Sequence, residues 1–133
     1  MKGPEKGELK WKFKIGPGDT DTSPVLADGV VYVGSGDHHI YAVDAASGQE
    51  KWKFKTGGVI WSSPTVVDNM LYVGSRDHYL YALDAQTGQI KWRYETGGAV
   101  DSSPIVANGM VYFGSYDHYL YALDAQIAAV GQF

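Results

Sequence analysis

The 133-residue sequence contains no cysteine. A disulfide framework, a thiolate nucleophile and a metal site built from thiolates are therefore all excluded. Any acid–base or metal chemistry would have to come from the 4 histidines and 15 acidic residues. Hydrophobic residues make up 44% of the chain, which is enough for a buried core in one domain of ordinary size.

The chain also lacks a basic block and a long apolar run. Its net charge is -4, and its lysines alternate with aromatic residues, as in Lys10–Lys14, so we expect no nucleic-acid binding. No apolar run approaches the length that crosses a membrane. The charged, glycine-rich segment Met1–Lys10 has no apolar centre of the kind found in signal peptides. We therefore expect no membrane insertion and, unless a leader has been removed, a cytoplasmic location.

What the sequence does contain is a repeat of about 40 residues. Trp11, Trp52 and Trp92 are spaced 41 and 40 residues apart. Each copy then has a proline and, 20 residues later, an aspartate: Pro24 and Asp44, Pro64 and Asp84, Pro104 and Asp124. The second and third copies are identical at 22 of 35 positions, counted from each tryptophan. Such similarity indicates a recent or an engineered amplification of one unit.

Each copy contains four short strand-like stretches separated by turn residues. In the second copy these are Trp52–Lys55, Ser63–Val67, Met70–Gly74 and Tyr79–Leu83. Four short strands in about 40 residues are typical of a β-propeller blade. The sequence therefore predicts an all-β chain with three four-stranded blades in a single domain over residues 1–133. The repeats cover about 8–48, 49–88 and 89–126, and a divergent tail follows at 127–133.

The run Ala82–Trp92 resembles the tryptophan-docking repeat of pyrroloquinoline-quinone (PQQ) propellers. Ala42–Trp52 carries the same motif with serine in place of threonine, and Tyr32–Asp37 and Tyr72–Asp77 match a second part of it. The resemblance covers nearly the whole chain and implies a β-propeller fold. Repeats of this class occur in quinoprotein alcohol dehydrogenases, in the outer-membrane assembly lipoprotein and in bacterial sensor and kinase ectodomains, often outside the cytoplasm. Fold is thus indicated, and function is not.

Five residues of the motif are predicted to dock neighbouring blades. An indole at Trp11, Trp52 or Trp92 would fill the gap between two blades and donate its N–H to a backbone carbonyl of the neighbour. Gly48 and Gly88 would supply a turn with positive φ. The repetition of these residues in the sequence favours this structural role over a cofactor site.

Three blades are too few to close a propeller, because known rings have roughly four to eight. The segment Gly7–Trp11 aligns with Gly48–Trp52, so the chain begins with an outer strand that has no blade of its own. After Ala125 the expected Thr-Gly and tryptophan strand are missing. We expect a six-bladed homodimer in which the N-terminal strand of each copy completes the partner's last blade. The alternative is a truncated propeller that aggregates or packs only in a crystal.

The copies differ most before their Thr-Ser-Pro or Ser-Ser-Pro strands, where Asp21, Trp61 and Asp101 stand. Inner strands line the axis of a propeller, so these side chains are predicted at the channel mouth. There Trp61 could stack on a planar ligand and the two carboxylates could hold a cation or a polar ligand. The alternative is that all three are variable loop residues in solvent.

Each copy also contains an Asp-His pair, at Asp37, Asp77 and Asp117 and the residues that follow them. Such a pair could bind a metal or transfer protons. Its presence in every copy favours a structural role instead, in which the aspartate caps its turn and the histidine packs near the neighbouring blade. We therefore predict no metal site, no catalytic residue and no resident cofactor.

Two classes of function follow from these patterns. The first is a non-enzymatic, self-assembling scaffold or protein-interaction module, which could be an engineered or isolated propeller fragment. The second is a fragment of a quinoprotein dehydrogenase that binds PQQ and calcium; the absence of the cysteine pair found over the cofactor in those enzymes counts against it. Family analogy adds an envelope assembly or sensor propeller that binds other proteins.

Overall fold

A computed structural model describes residues 7–18 and 22–125. These residues contain eleven β-strands arranged as antiparallel sheets, which confirms the predicted all-β propeller architecture. Within the described ranges there is no helix long and apolar enough to span a membrane. The divergent tail at 127–133 lies outside the described residues.

The first two sheets have four strands each, in sequence order. The first contains β1 (Val25–Ala27), β2 (Val30–Gly34), β3 (His39–Asp44) and β4 (Glu50–Lys55). The second contains β5 (Thr65–Val67), β6 (Met70–Gly74), β7 (Tyr79–Asp84) and β8 (Ile90–Glu95). The third contains β9 (Ile105–Ala107), β10 (Met110–Gly114) and β11 (Leu120–Asp124), with no fourth strand among the described residues.

The strand opened by Pro64 is shorter than the sequence predicts. It begins at Thr65 rather than Ser63 because the two serines before the proline make other bonds. The Ser63 N–H donates to the Ser103 hydroxyl of the next repeat at 3.0 Å, and the Ser62 hydroxyl accepts from Gly74 N–H at 3.0 Å. The first bond joins the inner ends of two blades and the second lies within one blade, and neither extends the strand ladder.

A two-residue turn joins the first and second strand of every sheet. In the first sheet Ala27 pairs directly with Val30, and the residues between them, Asp28 and Gly29, have φ of 50° and 75°. Two consecutive positive φ values define the hairpin turn whose twist matches that of the strands. Asn and Gly tolerate this conformation best, and the corresponding pairs are Asp68-Asn69 and Asn108-Gly109.

The three sheets fan out from their short strands. β1 lies next to β5, and β5 lies next to β9, whereas β4 and β8 form the outer edges. One apolar core lies between the first and second sheets and includes Ile40, Leu71 and Trp52. A second lies between the second and third sheets and includes Leu80, Val111 and Phe113. The blades therefore hold together through side chains packed face to face between sheets.

The segment Gly7–Ile15 packs against the first sheet without pairing into any sheet of the described chain. Phe13 meets Tyr41 edge-on with ring centroids 5.6 Å apart, as Phe54 of β4 meets Tyr81 in the next sheet. The segment thus contacts the first sheet in the way that an outer strand contacts the following blade.

Candidate functional site

Two of the three docking tryptophans make equivalent hydrogen bonds to the following blade. Trp11 Nε1 donates to the carbonyl oxygen of Ala45 at 3.0 Å, and Trp52 Nε1 donates to that of Ala85 at 2.9 Å. Each acceptor belongs to the turn after the third strand of the following sheet. A buried indole is thereby satisfied at its only donor while its rings fill the space between blades.

Gly48 and Gly88 lie directly against these indoles. Both have positive φ, 76° and 77°, which favours glycine. A Cβ at Gly48 would lie 2.5 Å from the Trp11 ring, and one at Gly88 would lie 2.5 Å from the Trp52 ring. Each position therefore requires glycine for two independent reasons, backbone conformation and the space that the indole occupies.

The third docking tryptophan has a different environment. Trp92 is only 3% exposed, yet its Nε1 has no hydrogen-bond partner among the described residues. The N–H of Ala125 does donate to Gly109 O at 2.9 Å, as the N–H of Ala85 donates to Asn69 O. The strand end is therefore placed as in the complete blades, but the carbonyl contact to the indole is absent.

The repeated aspartate does more than cap its turn. Asp77 accepts the N–H of Tyr79 at 3.0 Å, the hydroxyl of Tyr81, and the N–H of Gly57 from the preceding blade at 2.8 Å. Asp117 makes the same three kinds of contact in the third sheet. One carboxylate thus joins a loop, a strand and the neighbouring blade.

The hydrogen bonds between the repeated aspartate and tyrosine shift the pKa values of Asp37 and Tyr81. Burial alone would raise the pKa of Asp37, but its hydrogen bonds, led by the one from Tyr41, outweigh burial and hold that pKa below its usual range. Burial, with the neighbouring Asp77 carboxylate, raises the pKa of Tyr81 to about 12. Asp37 therefore acts as an ionised acceptor and Tyr81 as a neutral donor at neutral pH.

The histidines of the Asp-His pairs do not converge. His38, His78 and His118 all have positive φ, between 77° and 83°, and form the tight loop before the third strand of each sheet. The carbonyl of His78 accepts both the N–H and the hydroxyl of Thr96, at 2.7 and 3.0 Å. The His78 and His118 side chains are exposed. No group of three or more metal-ligating side chains occurs within residues 7–18 and 22–125.

Trp61 and Asp101 are two of the predicted channel-mouth residues. Both contact the side chain of Arg76. Arg76 donates to both carboxylate oxygens of Asp101, at 3.2 and 2.8 Å, and its guanidinium lies 3.9 Å from the centre of the Trp61 ring. The centre of the Tyr116 ring lies 5.4 Å from the same guanidinium carbon. The hydrogen bonds from Arg76 to Asp101 raise the pKa of the guanidinium. Asp21, the third predicted residue, lies outside the described residues.

Arg76 and Tyr116 were not selected as site residues from the sequence. The sequence feature that could have identified them is their shared position in the repeat. That position varies between the copies and is occupied by Gly36, Arg76 and Tyr116. The variable residues therefore meet across the interface of the second and third blades, on a background of repeated structural residues.

The third sheet ends in an open apolar edge. Leu120 of β11 is 79% exposed, whereas its counterparts Ile40 and Leu80 are 0% exposed. Tyr119 is 68% exposed. In the complete sheets the corresponding strands pair with β4 and β8, and their leucine or isoleucine packs in the core toward the next sheet. An uncovered strand of this kind presents unpaired backbone groups and apolar side chains together.

Solved structures similar to this chain are propellers with different functions. BamB from Moraxella catarrhalis is 25% identical with a TM-score of 0.71, and the match covers 79% of this chain and 33% of that protein. Quinohemoprotein alcohol dehydrogenase from Comamonas testosteroni is 25% identical with a TM-score of 0.78, covering 87% and 21%. The corresponding enzyme from Pseudomonas putida HK5 is 28% identical with a TM-score of 0.70, covering 80% and 20%. The chain thus spans a third or less of the proteins it resembles.

Family models agree with the structural comparison, although no curated protein sequence matches significantly. Residues 55–130 match the model described as outer membrane protein assembly factor BamB. Residues 4–62 match that of the β-propeller domain of glucose, ethanol and alcohol dehydrogenases. With more than half of its length matched by the first model, the chain belongs to the BamB-type family of PQQ-like β-propeller repeats.

Proposed function

We propose that this chain is a non-enzymatic, self-assembling propeller module whose copies complete each other's third sheet. The observation that carries the proposal is the open edge of β11, where Leu120 is 79% exposed and its two counterparts are fully buried. Residues 7–15 have the composition of the missing strand and are unpaired within the described chain.

The charge of the edges supports this assignment. The outer strand β4 carries exposed Lys51, Lys53 and Lys55, and β8 carries exposed Lys91 and Arg93. Charged side chains, lysine above all, protect an edge strand from pairing with another chain. β11 has no basic residue, and its acidic residue, Asp124, stands at its end. Among the described residues, the incomplete third sheet is therefore the only sheet whose last strand carries no lysine or arginine to protect it.

The complete sheets define a register for the added strand. In the second sheet Ala82 lies opposite Trp92, Leu80 opposite Tyr94, and Tyr79 opposite Glu95. Transferred to the third sheet, Trp11 of the incoming copy would lie opposite Ala122, Phe13 opposite Leu120 and Lys14 opposite Tyr119. The added strand would bring its own lysines to the outer edge and so protect it in turn.

The position of Trp11 connects the two copies. Its indole already docks on Ala45 of its own first sheet, as Trp52 of β4 docks on the blade that follows. A segment that pairs with the partner's β11 would therefore join the partner's third blade to its own first blade. Two such exchanges give a six-bladed ring with a two-fold axis, in which every third sheet is complete.

The mass in solution tests this proposal. We expect light scattering at micromolar concentration to give twice the 14.5 kDa of one chain. Because the chain has no cysteine, an engineered pair reports on one contact alone. Lys14→Cys with Tyr119→Cys should form an intermolecular disulfide under mild oxidation, whereas the control pair Lys14→Cys with Ala107→Cys, on the far edge of the sheet, should not. A single-chain mass, or equal cross-linking of both pairs, would contradict the proposal.

A second candidate rests on the matches to quinohemoprotein alcohol dehydrogenases and on the family model over residues 4–62. If the chain is a PQQ-binding fragment, adding PQQ with Ca²⁺ should quench tryptophan fluorescence saturably and raise the melting temperature. We expect neither change. A saturable response lost in Trp61→Ala but kept in Tyr119→Ala would favour the cofactor-binding function over the scaffold.

A further inference from the structure

The two interfaces between sheets share one close contact at a glycine. A Cβ at Gly34 would lie 2.4 Å from a methyl carbon of Ile60. One at Gly74 would lie 2.3 Å from a methyl carbon of Val100 and 2.5 Å from its carbonyl oxygen. Ile60 and Val100 are fully buried, and each belongs to the connection that leads into the following sheet. Each interface therefore depends on a glycine of one sheet that leaves room for the connection before the next.

A backbone hydrogen bond accompanies each of these contacts. The N–H of Ile60 donates to Ser35 O at 3.3 Å, and the N–H of Val100 donates to Ser75 O at 3.0 Å. In both sheets this serine directly follows the glycine of the close contact. The glycine and the serine together thus form a socket that holds both the side chain and the backbone of the following connection.

The third sheet has the same socket, formed by Gly114 and Ser115. The described atoms nearest to a Cβ at Gly114 belong to Ser102 of its own repeat, at 3.8 and 4.0 Å. Ser115 O accepts the N–H of His118 within its own loop and no N–H from another sheet in residues 7–18 and 22–125. No described residue of a following repeat therefore fills this socket.

The side of the third sheet that contains Gly114, which we call the third-sheet end face, is apolar and exposed. Leu120 lies directly opposite Gly114, and Ile105 lies opposite Tyr112 on the same side. Leu120 is 79% exposed and Ile105 is 65% exposed. In the first two sheets the equivalent side packs in the core toward the following sheet. The third sheet thus presents the side that a following sheet covers elsewhere in the chain.

The first sheet presents the opposite side at the other end of the chain. Ala27 packs against the core next to the second sheet, so its neighbour Leu26 points away from that sheet. Leu26 is 68% exposed, whereas Val66 and Val106, at the same position of the repeat, pack against the two cores. We call the side that carries Leu26 the first-sheet end face. It corresponds to the side with which the second and third sheets pack on the sheet before them.

A directed series of hydrogen bonds distinguishes the two ends of the chain. The N–H of Ser23 donates to the Ser63 hydroxyl at 2.8 Å, and the N–H of Ser63 donates to the Ser103 hydroxyl at 3.0 Å. Among the described residues, the N–H of Ser103 has no acceptor and the hydroxyl of Ser23 has no donor. The third repeat therefore offers the donor, and the first repeat offers the acceptor, of one further bond in the series.

We propose that two copies associate head to tail, with the first-sheet end face of one copy packed on the third-sheet end face of the other. This inference rests on the proposed self-assembly and adds to strand completion a second, separate contact. Gly114 is the residue that determines specificity, because an added Cβ would occupy the space of the docked connection. The Ser103 N–H would donate to the Ser23 hydroxyl of the second copy. Two third-sheet end faces would not fit each other, since both present a socket and an N–H donor.

Two variants, each of which blocks one end face, test the proposal. The single chain has room for the methyl group of Gly114→Ala and exposes the side chain replaced in Leu26→Asp, so both variants should fold. We expect sedimentation equilibrium to give each variant alone a dimer dissociation constant at least roughly 10-fold above that of the wild type. The matched control is Gly74→Ala, which should lower the urea midpoint because its methyl group would meet Val100.

An equimolar mixture of the two variants distinguishes head-to-tail packing from other modes of association. The intact third-sheet end face of Leu26→Asp can still bind the intact first-sheet end face of Gly114→Ala. The mixture should therefore associate more tightly than either variant alone, although less tightly than the wild type. A mixture no tighter than its components, or Gly114→Ala with the dissociation constant of the wild type, would overturn the proposal.

The engineered cysteine pair Lys14→Cys with Tyr119→Cys reports separately on strand completion. In the Gly114→Ala background its disulfide should form more slowly, because the copies meet less often. An unchanged rate would leave strand completion intact and show that end-face packing is wrong. Restored association in the mixture without any disulfide in the cysteine variant would support end-face packing and contradict strand completion. A wild-type mass of one chain would contradict both.

Discussion

The second and third sheets are nearly the same sequence in two different situations. β7 of the second sheet and β11 of the third share the residues Leu-Tyr-Ala-Leu-Asp. Leu80 is fully buried in the core between the second and third sheets, while Leu120, which faces no further sheet in the described chain, is 79% exposed. The strand sequence alone therefore does not determine burial. What differs is whether an outer strand pairs with it and a following sheet packs on its face, neither of which the described residues provide for β11.

The same contrast extends to the docking sites. Trp52 donates to a carbonyl of the following turn, and Trp92 has no acceptor within residues 7–18 and 22–125, although both indoles are buried. In both cases the third blade keeps the repeated residues, but the element that they serve is not found in the described part of the chain. The same substitution can therefore be made at equivalent positions of the second and third repeats. In the second repeat the neighbouring structure is present, and in the described third repeat it is not.

The largest effect is expected from a charge on the equivalent leucines. Leu80→Asp would bury an unpaired carboxylate and should destabilise the fold by about 3–5 kcal/mol. Leu120→Asp should leave a folded chain, since the side chain is exposed, but reduce the mass in solution to that of one chain. Urea unfolding and light scattering measure the two outcomes. If Leu120→Asp is as destabilising as Leu80→Asp, the β11 edge is covered within a single chain; if its mass stays at two chains, strand completion is wrong.

The next effect separates close packing from backbone conformation. Gly88→Ala should cost about 2–4 kcal/mol, because a methyl group would meet the Trp52 ring in addition to the strain of positive φ. Gly109→Ala is the control: its φ is 75°, but nothing lies within 4 Å of the added Cβ, so only about 1–2 kcal/mol is expected. Equal shifts of the urea midpoint would show that the indole readily moves aside.

A smaller difference should appear when phenylalanine replaces each of two docking tryptophans. Trp52→Phe and Trp92→Phe lose similar volume, but the first also loses the hydrogen bond to Ala85 O. We expect Trp52→Phe to be more destabilising than Trp92→Phe by about 0.5–1.5 kcal/mol. Both free energies of unfolding come from the same denaturant titration. A larger loss for Trp92→Phe would mean that its Nε1 has an acceptor in solution.

The repeat made most of the fold predictable from the sequence. β6 has the predicted bounds Met70–Gly74, because apolar residues between two turn signals leave little choice of register. Three copies of one pattern also identified the incomplete third blade. The hydrogen bond from Trp52 to Ala85 O agrees with the predicted docking of an indole on a backbone carbonyl of the next blade. The same motif makes the equivalent bond at Trp11.

The contacts of Arg76 could not be predicted in this way. Its partners Trp61 and Asp101 come from two different inter-blade connections, and their meeting depends on the spacing of the blades. The three roles of Asp77 were also only partly foreseen, because its bond to Gly57 crosses from one blade to the next. Pattern analysis within one repeat describes bonds inside a blade better than bonds between blades.

The smallest expected effect concerns the bond between the repeated aspartate and tyrosine. The pKa of Tyr81 is raised to about 12 in the folded chain, above its usual value near 10. The unfolded chain then loses this proton first, so stability is full below about pH 10 and declines as the pH rises toward 12. Tyr81→Phe should reduce the slope of unfolding free energy against pH in this window by up to one proton. The slope below pH 9 should be unchanged.

That slope can be measured from urea unfolding at closely spaced pH values. Tyr121 has the same bond to Asp117, and its pKa is also raised to about 12, with this hydrogen bond as the main cause. It lies on the open third sheet, so covering β11 with another strand should keep it from solvent. We therefore expect Tyr121→Phe to change the alkaline slope more in the wild-type background than in Leu120→Asp. Equal changes in both backgrounds would indicate that no strand covers β11 in solution.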